Sequence, residues 1–147
     1  RLSRNKREEL YAQIQGHALS VGIGVVDHRE IDVMNIREAS LLAMEKAITE
    51  LFPQPEFLLV DGNYYRDGVI PAKTIIHGDA KCFSIAAASI VAKVTRDQLM
   101  EQLHGLYPSY GFDRHKGYAT REHISAINKF GLCEIHRRSF HVRRVEV

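Results

Sequence analysis

Phe57-Leu58-Leu59-Val60-Asp61-Gly62-Asn63 is the stretch on which the fold turns. A short apolar run that ends in a carboxylate and a glycine is how a buried strand delivers an acid to the rim of a sheet. Periodicity alone does not separate such a run from buried helix, but Pro53 and Pro55 ahead of it and Gly62 behind it favour a strand. Eighteen positions on from Asp61, Lys73-Thr74-Ile75-Ile76-His77-Gly78-Asp79 repeats the pattern. If the two strands run parallel, Asp61 and Asp79 meet at one edge; if they pair as a hairpin, the acids lie at opposite ends. The connection from Gly62 to Ala72 is close to the lower limit of about a dozen residues for a parallel crossover, so length leaves the direction open.

Two ionised carboxylates held close together repel, and a site containing both must shift a pKa or bind a cation. A hard cation such as Mg2+, held by a few carboxylates and by substrate phosphate oxygens, is the usual resolution. Asp-Gly-Asn and Gly-Asp are also ordinary turn vocabulary, and on spacing alone both readings stand.

Working outward, Leu10, Ile14 and Ala18 recur at helical spacing among charged residues and predict an amphipathic helix from Asn5 to Leu19. Ser20 to Val26 reads as a strand. A second helix is expected from Ile36 to Leu51, its inward stripe made by Ile36, Ala39, Ala43, Ala47 and Leu51, with Pro53 closing it. After the two Asp-ended strands, the alanine-rich run from Ser84 to about Leu103 predicts a long helix able to approach its neighbours closely. Ser89, Lys93 and Asp97 share one stripe of it. Lys93 is either half of a solvent-facing pair with Asp97 or a cation facing a phosphate beside the acids.

Tyr107 to Thr120 is a loop by its Pro and Gly content, and it mixes tyrosines and Phe112 with Arg114, His115 and Lys116. Aromatic faces that stack and cations that meet phosphates suit a sugar–phosphate backbone, although aromatics pinning a loop to the core explain the same composition. A last helix is expected from Arg121 to Phe130, capped by Gly131, before a basic tail with Arg137, Arg138, Arg143 and Arg144. That tail can contact phosphates or be a solvated end.

At 147 residues with 45% hydrophobic content the chain is expected to form a single globular domain over 1–147. It holds no run of about 18 apolar residues, so no membrane span is expected. Arg1 to Glu9 contains no apolar signal-peptide core, and Cys82 and Cys133 are distant in sequence, which together fit a reducing cytoplasm. The net charge of +2 and pI near 8.6 do not by themselves announce a nucleic-acid binder. No helical His pair at zinc spacing, phosphate-binding Gly-rich loop, nucleophile elbow or dinucleotide fingerprint occurs. Carboxylate–metal chemistry, or no chemistry, is what remains.

Taken together, Leu58-Leu59-Val60-Asp61-Gly62, Gly78-Asp79-Ala80-Lys81, Ser84 through Asp97, Tyr110-Gly111-Phe112, His115 through Thr120 and His136-Arg137-Arg138-Ser139-Phe140 resemble the bacterial ribonuclease HII family. The Ala-Ala-Ser-Ile-Val-Ala-Lys-Val-Thr-Arg-Asp run and the Lys-Gly-Tyr-Ala-Thr loop are long and specific. The resemblance implies an α/β fold, a ribonuclease H-like mixed sheet flanked by helices. It also implies cleavage of the RNA strand of an RNA–DNA hybrid duplex and of single ribonucleotides embedded in duplex DNA.

In such enzymes four carboxylates hold two Mg2+ or Mn2+ ions, and Asp61 and Asp79 match the third and fourth. One ion positions the attacking hydroxide and the other stabilises the departing 3′ oxygen. By the same similarity Tyr118 lies against the sugar at the RNA-to-DNA junction, where a 2′-hydroxyl can be sensed. Ser89 and Lys93 seat a flanking phosphate, and Lys116, Arg137 and Arg138 are further candidates for nucleic-acid contact.

Family members open with an Asp-Glu pair, a Gly-Arg-Gly run and an Asp-Ser-Lys element, whereas this sequence opens at Arg1-Leu2-Ser3. The expectation is therefore an incomplete sheet lacking its first two strands, exposed strand edges, and inactivity unless a separate N-terminal segment joins it. The rival readings are a non-catalytic nucleic-acid-binding module and another ribonuclease H-like nuclease such as a junction resolvase.

Overall fold

The computed structural model describes residues 2–66 and 68–140. Helix α1 (Arg4–His17) begins where the Ser3 hydroxyl accepts from the Lys6 amide at 3.3 Å, which satisfies one of the unpaired N–H groups of the first turn. It packs on α5 (Phe83–Leu106), and ion pairs Arg4–Glu101 at 2.9 Å and Arg7–Asp97 at 3.8 Å fasten its first two turns there.

The stretch expected as a strand, Ser20 to Val26, carries no ladder hydrogen bonds among the described residues. Its β-branched residues favour a strand, but a strand exists only with a partner. The glycines serve another purpose: a Cβ on Gly22 would collide with the Ala47 carbonyl oxygen, and one on Gly24 with that of Ala43. The segment therefore lies against the backbone of α3 (Ile36–Thr49). Lys46 of α3 reaches back to donate to the Val25 carbonyl at 3.1 Å.

Between them, α2 (His28–Met34) was not expected from periodicity because it has too few turns to show one. Its signal was local: Asp27 and Glu30 form a reciprocal capping box, with Asp27 accepting at 2.8 Å from the amides of Arg29 and Glu30 while Glu30 accepts from the Asp27 amide at 3.0 Å. Asn35, with φ 78°, both closes α2 and caps α3.

Strands β1 (Leu58–Asp61) and β2 (Ala72–Ile75) pair in parallel, with Leu58 opposite Ala72 and Asp61 opposite Ile75. The open question of direction is thus settled in favour of one edge. The second strand is shorter than expected. It ends at Ile75; His77 takes a left-handed φ of 56°, and the chain turns into a single helical turn, α4 (Gly78–Lys81). Asp79 therefore sits on the first turn of α4 and not at a strand end. Phe57, Leu59, Ile76 and Phe83 stand exposed around this sheet, which has no third strand among the described residues.

Helix α5 is the spine of the fold. Its alanines let it touch α1, α4, β1 and the segment after it, and Ile85, Val91 and Val94 form its buried stripe. The expected loop contains a 3-10 turn (Pro108–Tyr110) and α6 (Phe112–His115), followed by α7 (Arg121–Phe130) at the expected bounds. No described helix is long and apolar enough to cross a membrane. The architecture is α/β, a small parallel sheet flanked by helices.

Candidate active site

Asp61 ends β1 and Asp79 lies on the helical turn that follows β2, both at the carboxyl end of the parallel pair. The Gly78 amide donates to Asp61 Oδ1 at 2.8 Å, which ties the turn bearing Asp79 to the last residue of β1. Gly78 is required here by contact: a Cβ would sit 2.5 Å from Ile85 Cδ1 and 3.2 Å from Asp61 Oδ1. Both carboxylates are exposed, Asp61 Oδ2 and both oxygens of Asp79 accept no hydrogen bond from the described residues, and hard oxygen donors of this kind suit Mg2+ or Mn2+. Two acids are an incomplete cage, and no group of three His, Cys, Asp or Glu able to hold a metal occurs among the described residues.

From that lip the α5 stripe of Ile85, Ser89, Lys93 and Asp97 runs away at one residue per turn. At a rise of about 1.5 Å per residue, Lys93 lies roughly 12 Å beyond Ile85. Ser89 is exposed. Lys93 Nζ is 2.6 Å from Asp97 Oδ1 and 6.0 Å from the centre of the Tyr118 ring, so the pair read from spacing forms and also faces the aromatic loop.

Tyr118 is held by Arg96, a residue the sequence reading quoted within a motif but gave no role. The Arg96 guanidinium donates to the Tyr118 hydroxyl at 2.7 Å and to the Lys116 carbonyl at 2.8 Å, with its carbon 4.3 Å from the ring centre. That hydrogen bond is the main reason the Tyr118 phenol is pulled below its ordinary pKa. The two explanations of the aromatic loop divide by residue. Tyr110 and Phe112 are buried and stacked at 5.6 Å, which pins the loop, whereas Tyr118 is 58% exposed and presents its ring. Lys116 Nζ lies 2.7 Å from Glu101, whose carboxyl is lowered chiefly by that bond.

The tail is clamped at Arg138 and Ser139. Asp32 on α2 accepts from the Arg138 amide at 2.7 Å, the Ser139 amide at 2.9 Å and the Ser139 hydroxyl at 2.6 Å, and its carboxyl falls to about 2, mostly through the hydroxyl bond. Arg137 stacks on Phe140 at 4.3 Å, and Arg138 is exposed. Arg143 and Arg144 lie outside the described residues.

The sequence profile of ribonuclease HII matches residues 1–143. The chain belongs to the ribonuclease HII family. Curated ribonuclease HII proteins similar to it include that of Acetivibrio thermocellus, 50% identical over 140 residues, covering 95% of this chain and 55% of the relative. That of Syntrophus aciditrophicus is 51% identical over 143 residues, covering 97% and 68%, and that of Clostridioides difficile is 51% identical over 140 residues, covering 95% and 55%. The chain thus spans little more than half the length of several ribonuclease HII relatives. The α/β architecture, a small parallel sheet flanked by helices, is consistent with the ribonuclease H-like fold of that family.

Proposed function

We propose that this chain supplies half of the metal-binding acids and most of the nucleic-acid-contacting surface of a ribonuclease H-type endonuclease. The substrate is the RNA strand of an RNA–DNA hybrid, or a single ribonucleotide within duplex DNA. The observation that supports this reading is the Gly78 amide to Asp61 bond, which fastens the turn bearing exposed Asp79 to exposed Asp61 at the carboxyl end of the parallel strands.

Asp61 and Asp79 would hold Mg2+ or Mn2+, and a bound divalent ion stabilises charge on a phosphoryl group and lowers the pKa of a coordinated water. Asp61 can do so without losing its place, because Oδ1 is fixed by Gly78 while Oδ2 accepts no hydrogen bond from the described residues. Ser89 and Lys93 lie along the same α5 stripe, where a hydroxyl and an ammonium can seat a phosphate flanking the scissile bond. Swinging Lys93 from Asp97 to a phosphate exchanges one anionic partner for another, and Asp97 keeps Arg7 as a counter-ion at 3.8 Å. Tyr118 offers a ring face to a sugar, and a 2′-hydroxyl is the group by which RNA is told from DNA. Lys116, Arg137 and Arg138 add positive charge for the backbone.

The remaining two acids of the family pattern would come from an N-terminal segment bearing the Asp-Glu pair, and the reducing cytoplasm is the compartment proposed. A hybrid duplex offered with Mn2+ to the chain alone, and to the chain mixed with such a segment, tests this. Turnover is expected only in the mixture, and Asp61→Asn or Asp79→Asn should abolish it. Salt-sensitive duplex binding that neither Mg2+ nor Asp79→Asn alters, with no turnover in the mixture, would instead identify a non-catalytic binding module.

A further inference from the structure

Three histidines that take no part in the acid site converge under Tyr118. His115 and His123 are 7% and 6% exposed, and their rings stack with centroids 4.3 Å apart and 14° between planes. His115 Nε2 lies 2.6 Å from the Tyr110 carbonyl oxygen, so that nitrogen carries the proton, and Nδ1 accepts from the Gly117 amide at 3.2 Å. His123 Nδ1 lies 2.9 Å from the Tyr118 carbonyl oxygen and must be the donor there. Its Nε2 is then an acceptor, 3.0 Å from His136 Nε2. His136 Nδ1 is occupied by the Cys133 amide at 3.0 Å, with Cys133 Sγ at 2.9 Å, so the His136 proton sits on Nε2 and points at His123.

Every proton in this chain has one consistent place: the Cys133 amide donates to His136, His136 donates to His123, and His123 donates to the Tyr118 carbonyl. A neutral imidazole has one donor and one acceptor, and the bond made by one nitrogen dictates the tautomer at the other. Were His123 protonated on Nε2 instead, two N–H groups would face each other across 3.0 Å and the Tyr118 carbonyl would face a lone pair. His136 thereby decides whether His123 can hold the turn, while His115 grips the same turn by the neighbouring amide of Gly117, whose φ is 78°.

We propose that His123 and His136 are positioning residues for recognition of the ribonucleotide: His136 fixes the His123 tautomer, and His123 aims Tyr118 by its backbone while Arg96 holds the phenol. This rests on the reading of Tyr118 as the sugar-facing residue, and adds that the tail motif beginning at His136 acts on it through two imidazoles.

The test uses the full chain and two duplexes in Ca2+, one carrying a single ribonucleotide and one all DNA, with the ratio of their Kd values as the readout. His123→Leu and His136→Phe are expected to reduce that preference about fivefold each, the loss of one net hydrogen bond. His123→Asn, whose side-chain amide can replace the Nδ1 donor, should restore most of it, which a merely space-filling role for the ring would not predict. Long-range 15N–1H NMR at pH 8 should show His123 protonated on Nδ1, and a tautomer mixture in His136→Phe. His123 protonated on Nε2 in the parent chain, or an unchanged ratio in His123→Leu where Tyr118→Ala lowers it, overturns the inference. A ratio unmoved by Tyr118→Ala overturns the reading of Tyr118 and the recognition role with it, and the NMR result then tells whether the relay itself exists.

Discussion

The amide of Gly78 donates to Oδ1 of Asp61 at 2.8 Å, and this one bond joins the helical turn that carries Asp79 to the strand end that carries Asp61. A parallel pair alone would leave the turn bearing Asp79 unfastened, because β2 stops at Ile75 and the left-handed residue His77 intervenes.

Gly78→Ala should therefore damage both the fold and the site. The added methyl would meet Ile85 Cδ1 at 2.5 Å and press on Asp61, so overpacking of about 1–3 kcal/mol is expected. Urea denaturation measures the loss, and Mn2+ binding followed by electron paramagnetic resonance should weaken in parallel.

Arg96→Met should release the Tyr118 phenol. Its pKa is lowered in the folded protein chiefly by the Arg96 hydrogen bond, so ultraviolet titration should find one tyrosine moving back towards the ordinary value of about 10 in the variant. Ribonucleotide preference should fall with it, by roughly 1 kcal/mol. Arg96→Lys should rescue poorly, since one ammonium cannot serve the phenol and the Lys116 carbonyl with the same planar fork.

Acid should unfold the histidine cluster. Burial lowers the pKa of His123 and of His136, so below the ordinary value of about 6.5 the unfolded chain takes up protons that the folded chain refuses. The stability from this cluster is complete above that pH and is lost as pH falls below it, towards the folded pKa values. Urea midpoints at pH 7.5 and 5.5 should differ in that direction, and the difference should shrink in a variant carrying both His123→Asn and His136→Phe. A larger midpoint at pH 5.5 would contradict the lowered pKa values of the two imidazoles.

Asp32→Ala should loosen the tail without disturbing the sheet. The three bonds to Arg138 and Ser139 disappear, so trypsin should cut after Arg137 and Arg138 several times faster, about what losing one or two net hydrogen bonds allows. Because the folded Asp32 carboxyl titrates at about 2, the latch in the parent chain should hold down to about pH 4 and fail only as pH falls further.

Helices α1, α3 and α5 were legible because each carries an apolar stripe or an alanine run over three or more turns, and α7 because Gly131 marks its end. Helices α2, α4 and α6 were not, having seven residues or fewer, too short for a period to register. Ser20 to Val26 misled because its valines and isoleucine satisfy strand propensity, whereas its glycines are there to meet the backbone of α3. Asp61 and Asp79 were found from the run that precedes each. The histidines were missed as a group because His115, His123 and His136 follow no metal-ligand or helical spacing.

The sequence by itself determined the two β-type runs that end near Asp61 and Asp79, the four longer helices and the mixed aromatic and basic loop from Tyr107 to Thr120, since these follow from patterns local to a few turns of chain. Only the tertiary structure decided that β1 and β2 run parallel, that Asp79 rides a helical turn bonded to Asp61, and that His123 and His136 meet. Those outcomes depend on hydrogen bonds between residues that are distant along the chain, and their geometry exists only once the chain has closed around α5.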